Sequence, residues 1–191
     1  NIFPSNIQGL PTWYEVRVND KGYLGRRGGI DIALSVNPQS MAQDIREVLP
    51  GGYFIYDSTK ALDLRLHRDD ISIIGLPLTR ICNEQYDDPR QRLLFKNVIY
   101  VGALAALLDM DFKVLTGLVE DQFKGKKNLV LPNIHALELG HQYVRNNLDC
   151  PIGIRVKKSD KVGDKILLDG NTALGLGALY GGATVAAWYP I

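Results

Sequence analysis

The sequence is poor in sulfur and in charge of any one sign. Its two cysteines, Cys82 and Cys150, lie far apart with no C-x-x-C spacing, so the chain cannot by itself supply the four thiolates that hold an iron–sulfur cluster. Cysteine usage of this kind points to a reduced, cytoplasmic setting. Lys and Arg number 22 against 21 Asp and Glu, a net charge of +1. That balance argues against the basic footprint of a nucleic-acid binder and gives no attraction to an anionic membrane surface. The longest apolar run, Val98 to Leu108, is well short of the ~20 residues that span a bilayer. Residues 1–10 lack the basic-then-apolar pattern of a secretory signal. Three histidines, His67, His135 and His141, have no metal spacing, because the closer pair is six apart where one helix face needs four. With no G-x-S-x-G elbow and no phosphate loop either, neither a catalytic residue nor a metal ligand is assigned.

What remains is an ordinary globular composition, 46% apolar and 23% charged over 191 residues, enough for one cored domain or one domain plus a piece of another. An irregular start, residues 1–17, leads into a short strand over Tyr14 to Val18. After a turn across Asn19 to Gly29, the aliphatic run Ile30 to Val36 reads as a buried strand. Asn37-Pro38 opens a helix reaching about Val48, with proline tolerated in the first turn. Gly51-Gly52 then turns the chain into the strand Tyr53 to Asp57, and another strand, ISIIGLPL, runs from Ile71 to Leu78. Strands alternating with a helix over so short a span predict an α/β fold, a layered and mostly parallel Rossmann-like sheet. Gln91 to Leu108 is apolar nearly all round and reads as a buried helix. Two further helices follow, Phe112 to Phe123 and Asn133 to Asn146, the second with Pro132 just before it and Leu137, Tyr143 and Val144 facing inward. A proline- and charge-marked connector near residue 150 divides the chain into 1–150, a linker over 151–163, and 164–191.

The last stretch, Gly170 to Ile191, compresses a capped helix, a glycine pair and an apolar segment into a few turns of chain. Asn171 or Thr172 is the expected N-cap and Gly181-Gly182 the left-handed stop. Ala173, Gly177 and Gly181 recur every fourth residue, leaving one helix face almost bare. Thr184 to Trp188 reads as a buried strand ended by Tyr189-Pro190. In α/β sheets ligands sit beyond the carboxyl ends of strands, which makes Tyr189, Pro190 and Ile191 the candidate cofactor-binding residues.

This terminal pattern, together with PSNIQGLPTWYEVRV (Pro4 to Val18), PGGYFIYDST (Pro50 to Thr59), DPRQRLLFKNVIYVGALAALLDMD (Asp88 to Asp111), QFKGK (Gln122 to Lys126) and YGGATVAAWYPI (Tyr180 to Ile191), resembles the α subunit of two-subunit 2-oxoacid:ferredoxin oxidoreductases. The resemblance runs along essentially the whole chain. It implies a γ-type domain, here without its N-terminal glycine-rich strand–turn–helix, followed by the first helix–strand unit of the pyrimidine-side thiamine-diphosphate-binding fold. It also implies a β-subunit partner carrying the iron–sulfur cluster and most contacts to thiamine diphosphate and its Mg ion, with ferredoxin, coenzyme A and a 2-oxoacid as reaction partners. The implied reaction is oxidative decarboxylation of a 2-oxoacid, 2-oxoglutarate favoured over pyruvate, to an acyl-CoA, CO2 and reduced ferredoxin. In such an enzyme this stretch positions and assembles, and it is expected to be inactive alone and to hold no cofactor alone. The family's Thr-Pro after YPI is absent from the sequence.

Several residues carry a second reading. Asp57 closes a strand where a dinucleotide fold places an acid on a ribose hydroxyl, but no glycine-rich loop precedes it, so a turn or cap through Asp57-Ser58-Thr59 is favoured. Arg26-Arg27 suits an anion, with a solvated turn as the plainer reading. Lys124, Lys126 and Lys127 suit coenzyme A phosphates or a basic helix end. Asn6, Gln8 and Trp13 belong to a polar, aromatic loop of the kind found at subunit interfaces. A non-catalytic scaffold is the remaining alternative. Gly177→Leu is expected to disturb packing on the bare helix face, and normal folding with normal subunit assembly in that variant would contradict it.

Overall fold

The structure is a computed structural model and describes residues 13–23, 25–149, 152–161 and 163–187. It divides into two compact units, Asn1–Lys157 and Lys158–Ile191.

The first unit is built on three strands, β1 (Ile30–Ser35), β2 (Val48–Asp57) and β3 (Ser72–Leu76), all parallel in the order β1-β2-β3. Parallel pairing needs a crossover, and helix α1 (Met41–Glu47) supplies the first one. Residue alternation along the strands sorts two separate cores. Ile55, Ile74 and Leu76 point to one face, under α2 (Leu78–Gln85), α3 (Pro89–Leu107) and α5 (Lys127–Asn147). Ala33, Phe54 and Ile71 point to the other, where Ile45 of α1 joins them. A sheet buried on both faces explains the aliphatic runs in β1 and β3. Helix α4 (Phe112–Gln122) runs on from α3 and buries none of its residues.

Two features differ from expectation within the sheet. Gly51-Gly52 lies inside β2, where the register to β1 slips between Ile30 and Ile32. A Cβ on Gly52 would sit 2.8 Å from both the Asp31 and Leu49 carbonyl oxygens, so the pair accommodates a strand irregularity and does not start the strand. β3 ends at Leu76, and the sequence that follows Pro77 is helix α2. Its Leu78, Ile81 and Cys82 are buried at helical spacing, a period that a strand reading through Leu78 passes over.

The helices correct three further boundaries. α1 begins at Met41, since Asn37 forms an Asx turn with the Gln39 N–H (3.0 Å) and the Ser40 hydroxyl is engaged elsewhere. α3 is buried only from Ile99 onward; Leu93 and Leu94 are 77% and 68% exposed. α5 starts at Lys127 and takes Pro132 into its interior. The Asn133 side-chain amide donates to the Leu129 carbonyl (2.7 Å) and covers an acceptor in the turn that proline disturbs. Leu137 and Val144 are buried and Tyr143 packs on the core from its edge. Tyr14 to Val18 forms no ladder, because no described strand lies alongside to pair with it.

α3 and α5 cross where each presents a glycine. A Cβ on Gly102 would lie 1.9 Å from the Leu137 carbonyl oxygen, and one on Gly140 1.9 Å from that of Ile99. Backbone therefore meets backbone, and no rotamer change relieves the contact. Past α5, Ile152 is fully buried in this core, the Gly153 N–H donates to the Tyr53 hydroxyl (2.9 Å) and the Val156 N–H to the Leu108 carbonyl (3.0 Å). The connector is thus stitched to the first unit as far as Val156.

The second unit holds α6 (Gly170–Tyr180). Its N-cap is Asp169, whose carboxylate accepts from the Thr172 N–H (2.9 Å) and hydroxyl (2.6 Å), so Thr172 donates and neither it nor Asn171 caps. Gly181-Gly182 ends the helix as expected, Gly182 at φ +87°. Residues 184–187 form no strand, having no ladder partner among the described residues, and Trp188 lies outside them.

Gly102→Ala or Gly140→Ala is expected to destabilise the first unit by about 3 kcal/mol or more, as overpacking against fixed backbone does. Gly117→Ala, in α4 with nothing within 4 Å of the added Cβ, is expected to raise stability by about 0.5–1 kcal/mol. Thermal or urea unfolding of the three variants checks both directions.

Candidate functional site

The three parallel strands finish at one edge, at Ser35, Asp57 and Leu76, the edge at which α/β folds receive ligands. Two carboxylates converge there, Asp57 from β2 and Asp44 from α1.

Asp57 is almost saturated by its own fold. Oδ1 accepts from the Thr59 N–H (3.1 Å), closing the turn, and both oxygens face the Thr79 N–H (3.2 and 3.3 Å) in the first turn of α2. Oδ2 also accepts from the Thr79 hydroxyl and pairs with Lys96 Nζ of α3 at 2.8 Å. Lys96 donates in turn to Thr79 Oγ1 (2.8 Å), and Thr59 Oγ1 accepts from the Arg80 N–H (3.0 Å). α2 has no cap of its own at Pro77, so its free N–H groups are satisfied from the β2 end. Partial burial pushes the Asp57 carboxyl up, but hydrogen bonds from Lys96, Thr79 and Thr59 together outweigh it and hold the group well below the ordinary carboxylate range. The turn-and-cap reading of Asp57-Ser58-Thr59 describes this arrangement, and no oxygen is left aimed at a ribose.

One turn beyond Lys96, Tyr100 reaches back to the end of β1 and donates to the Ser35 carbonyl (3.2 Å). Burial, with the Asp57 charge nearby, pushes its hydroxyl well up, so it remains a neutral donor. Ser35 also donates from Oγ to Asp44 Oδ2 (2.7 Å), which accepts from Ser40 Oγ as well (3.0 Å). Asp44 Oδ1 accepts from the Trp13 indole N–H at 2.7 Å. Asp44 is only 8% exposed. Sequence reasoning missed it, although an acid among Met41, Ile45 and Val48 at helical spacing marks a carboxylate on a buried face.

The other candidates stay apart. Arg26 and Arg27 pair with Glu15 (2.8 Å) and Asp31 (2.7 Å) on an exposed turn. Lys124 follows the end of α4, but Lys126 and Lys127 open α5, the end where the helix dipole disfavours cations, so the basic-end reading suits Lys124 alone. His67 lies 3.2 Å from Asp69, and His141 packs on the Phe112 ring, with burial pushing its pKa down. Among the described residues no cluster of three or more His, Cys, Asp or Glu could hold a metal ion. Cys82 is buried and its thiol pushed up by that burial; Cys150 lies outside the described residues. With two cysteines in the sequence, the donors present do not fit an iron–sulfur cluster on this chain alone. Tyr189, Pro190 and Ile191 also lie outside the described residues, as do Asn6 and Gln8. A Cβ on Gly177 meets nothing within 4 Å.

Asp57→Asn is expected to cost about 1–3 kcal/mol, because the Lys96 ammonium and the α2 N–H groups lose a charged acceptor. The folded-state carboxyl is depressed, so its contribution is complete above its unfolded pKa, near 4, and is lost as pH falls toward the folded value. Unfolding midpoints followed from pH 6 to pH 2 should therefore fall less steeply in Asp57→Asn than in the parent.

The family model described as pyruvate ferredoxin/flavodoxin oxidoreductase matches residues 1–143. The α subunit of 2-oxoacid:ferredoxin oxidoreductase 2 from Aeropyrum pernix is 23% identical over 227 residues, a match that takes in 99% of this chain and 35% of the relative. The corresponding subunit of enzyme 1 from Sulfurisphaera tokodaii is 20% identical over 98% of this chain and 34% of its own length. The chain thus spans about a third of the length of these relatives. A solved 2-oxoglutarate:ferredoxin oxidoreductase from Magnetococcus marinus, with 2-oxoglutarate, coenzyme A and succinyl-CoA bound, superposes with a TM-score of 0.68 at 24% identity, over 81% of this chain and 27% of that one. It shares the α/β fold. Since the family model extends over residues 1–143 of 191, the chain belongs to the pyruvate ferredoxin/flavodoxin oxidoreductase family.

Proposed function

We propose that the chain is part of the α subunit of a 2-oxoacid:ferredoxin oxidoreductase, comprising the γ-type domain and the opening of the pyrimidine-side domain. The supporting observation is the match to α subunits along 98–99% of this chain. Residues 1–150 are assigned to the γ-type domain, 151–163 to the linker and 164–191 to the start of the thiamine-diphosphate-binding domain.

The chemistry at the strand ends fits a contribution of position and assembly. Asp57, Lys96, Thr79 and Tyr100 each satisfy a neighbouring element of the fold, and none is left as an acid, base or nucleophile facing open space. In the proposed enzyme thiamine diphosphate supplies the electron sink for decarboxylation. Tyr189, Pro190 and Ile191 are assigned to its pyrimidine end. The diphosphate, its Mg ion and the iron–sulfur cluster belong to the β subunit, and ferredoxin takes up the electrons. The overall reaction is the CoA-dependent conversion of a 2-oxoacid to acyl-CoA and CO2 in the cytoplasm. The ligands of the Magnetococcus marinus enzyme support placing 2-oxoglutarate ahead of pyruvate.

The complete α subunit that contains this chain, co-purified with its β partner, should reduce a viologen dye with 2-oxoglutarate and coenzyme A, and more slowly with pyruvate. Failure with every 2-oxoacid, or undiminished turnover by a complex lacking this chain, would overturn the assignment; faster turnover of pyruvate would overturn the substrate order.

A further inference from the structure

Beside β1 the carboxyl edge of the sheet contains a cavity of about 260 Å³. Trp13, Tyr14, Leu34, Val36 and Asp44 are among its lining residues. Trp13 is half-exposed and Tyr14 almost wholly so, so the cavity communicates with solvent while its carboxylate stays shielded.

The Asp44 carboxylate lies in the first turn of α1, where the helix N-terminus favours an acid, but it has no cationic side chain as a partner among the described residues. Its partners are the Trp13 indole N–H and the Ser35 and Ser40 hydroxyls, all neutral, and no Lys, Arg or His lies within ion-pair distance among the described residues. Buried carboxylates are ordinarily matched by a cation, because neutral donors replace only part of the lost hydration. An ionised carboxylate offers about four lone-pair positions; three are occupied here, two on Oδ2 and one on Oδ1. The nearby Asp57 follows the usual rule and has Lys96 at 2.8 Å.

We infer that this cavity is a binding site for a small organic cation, an amidinium or ammonium group on a flat or short apolar body. Its N–H donates to the remaining position on Asp44 Oδ1 and its body packs on Leu34 and Val36. A volume just below that of ordinary small-molecule pockets, about 300–1,000 Å³, limits the ligand to about one ring. The site lies on the edge where α/β sheets bind ligands, and it stands apart from the Asp57 network, whose oxygens are occupied. The inference does not rest on the enzymatic reading, and its test reads binding alone.

The probe is benzamidinium, with neutral benzamide as its isostere, titrated calorimetrically into the intact complex in parent, Asp44→Asn and Val36→Phe forms. Val36 is half-exposed, and phenylalanine there narrows the cavity while leaving every Asp44 hydrogen bond in place. The expected result is a benzamidinium site in the parent that is at least tenfold weaker for benzamide and at least tenfold weaker in both variants. Should Asp44→Asn not fold, Val36→Phe and the isostere decide. Equal binding of the two probes, equal affinity in parent and Val36→Phe, or no binding of benzamidinium at 10 mM (about 2.7 kcal/mol of binding free energy) would each overturn the inference.

Discussion

The fold depends on a backbone-to-backbone contact between α3 and α5. Gly102 and Gly140 remove the side chains that would hold the two helices apart, and each helix then presses a hydrogen where a methyl group would overlap the other's carbonyl oxygen. That approach does more than close a core. It fixes the rotation and depth of α3, whose next turns toward the N-terminus carry Tyr100 and Lys96 to the carboxyl ends of β1 and β2. A wider crossing would draw both donors off the sheet and leave Asp57 as an unpaired, partly buried acid.

The strand ends are therefore held from two sides by two different carboxylates. Asp57 replaces the missing cap of α2 and ties that helix, the Thr59 turn and α3 into one charged network. Asp44 gathers neutral donors only, from β1, from its own helix and from the segment at Trp13. The contrast is chemical: the Asp57 network is completed by a lysine, whereas the Asp44 network is made of hydroxyls and an indole. It is the second that borders a cavity.

The helices carry several large apolar side chains on their exposed faces. Leu93 and Leu94 on α3, Val114 and Leu118 on α4, and Leu174, Leu179 and Tyr180 on α6 are all exposed. Large apolar side chains exposed on three helices are of the kind that contact further protein, in keeping with the assembly role proposed above.

The residues alone determined the α/β class, the three parallel strands and the extents of α4 and α6 to within a residue or two, because apolar alternation and small-residue stops are local signals. They also indicated that Asp57 serves as a turn and cap, through the Asp-Ser-Thr sequence and the want of a phosphate loop. Tertiary structure decided the rest. Pro77 hid α2 because its cap comes from Asp57, 22 residues before the Thr79 N–H that it accepts from. Pro132 masked the first turn and a half of α5. Tyr14 to Val18 and Thr184 to Ala187 have strand-like composition without a strand, since a ladder needs a neighbour that composition cannot supply. Helical spacing could have placed Asp44 on a buried face, but not its partners: Trp13 and Ser35 become its neighbours only when the chain folds.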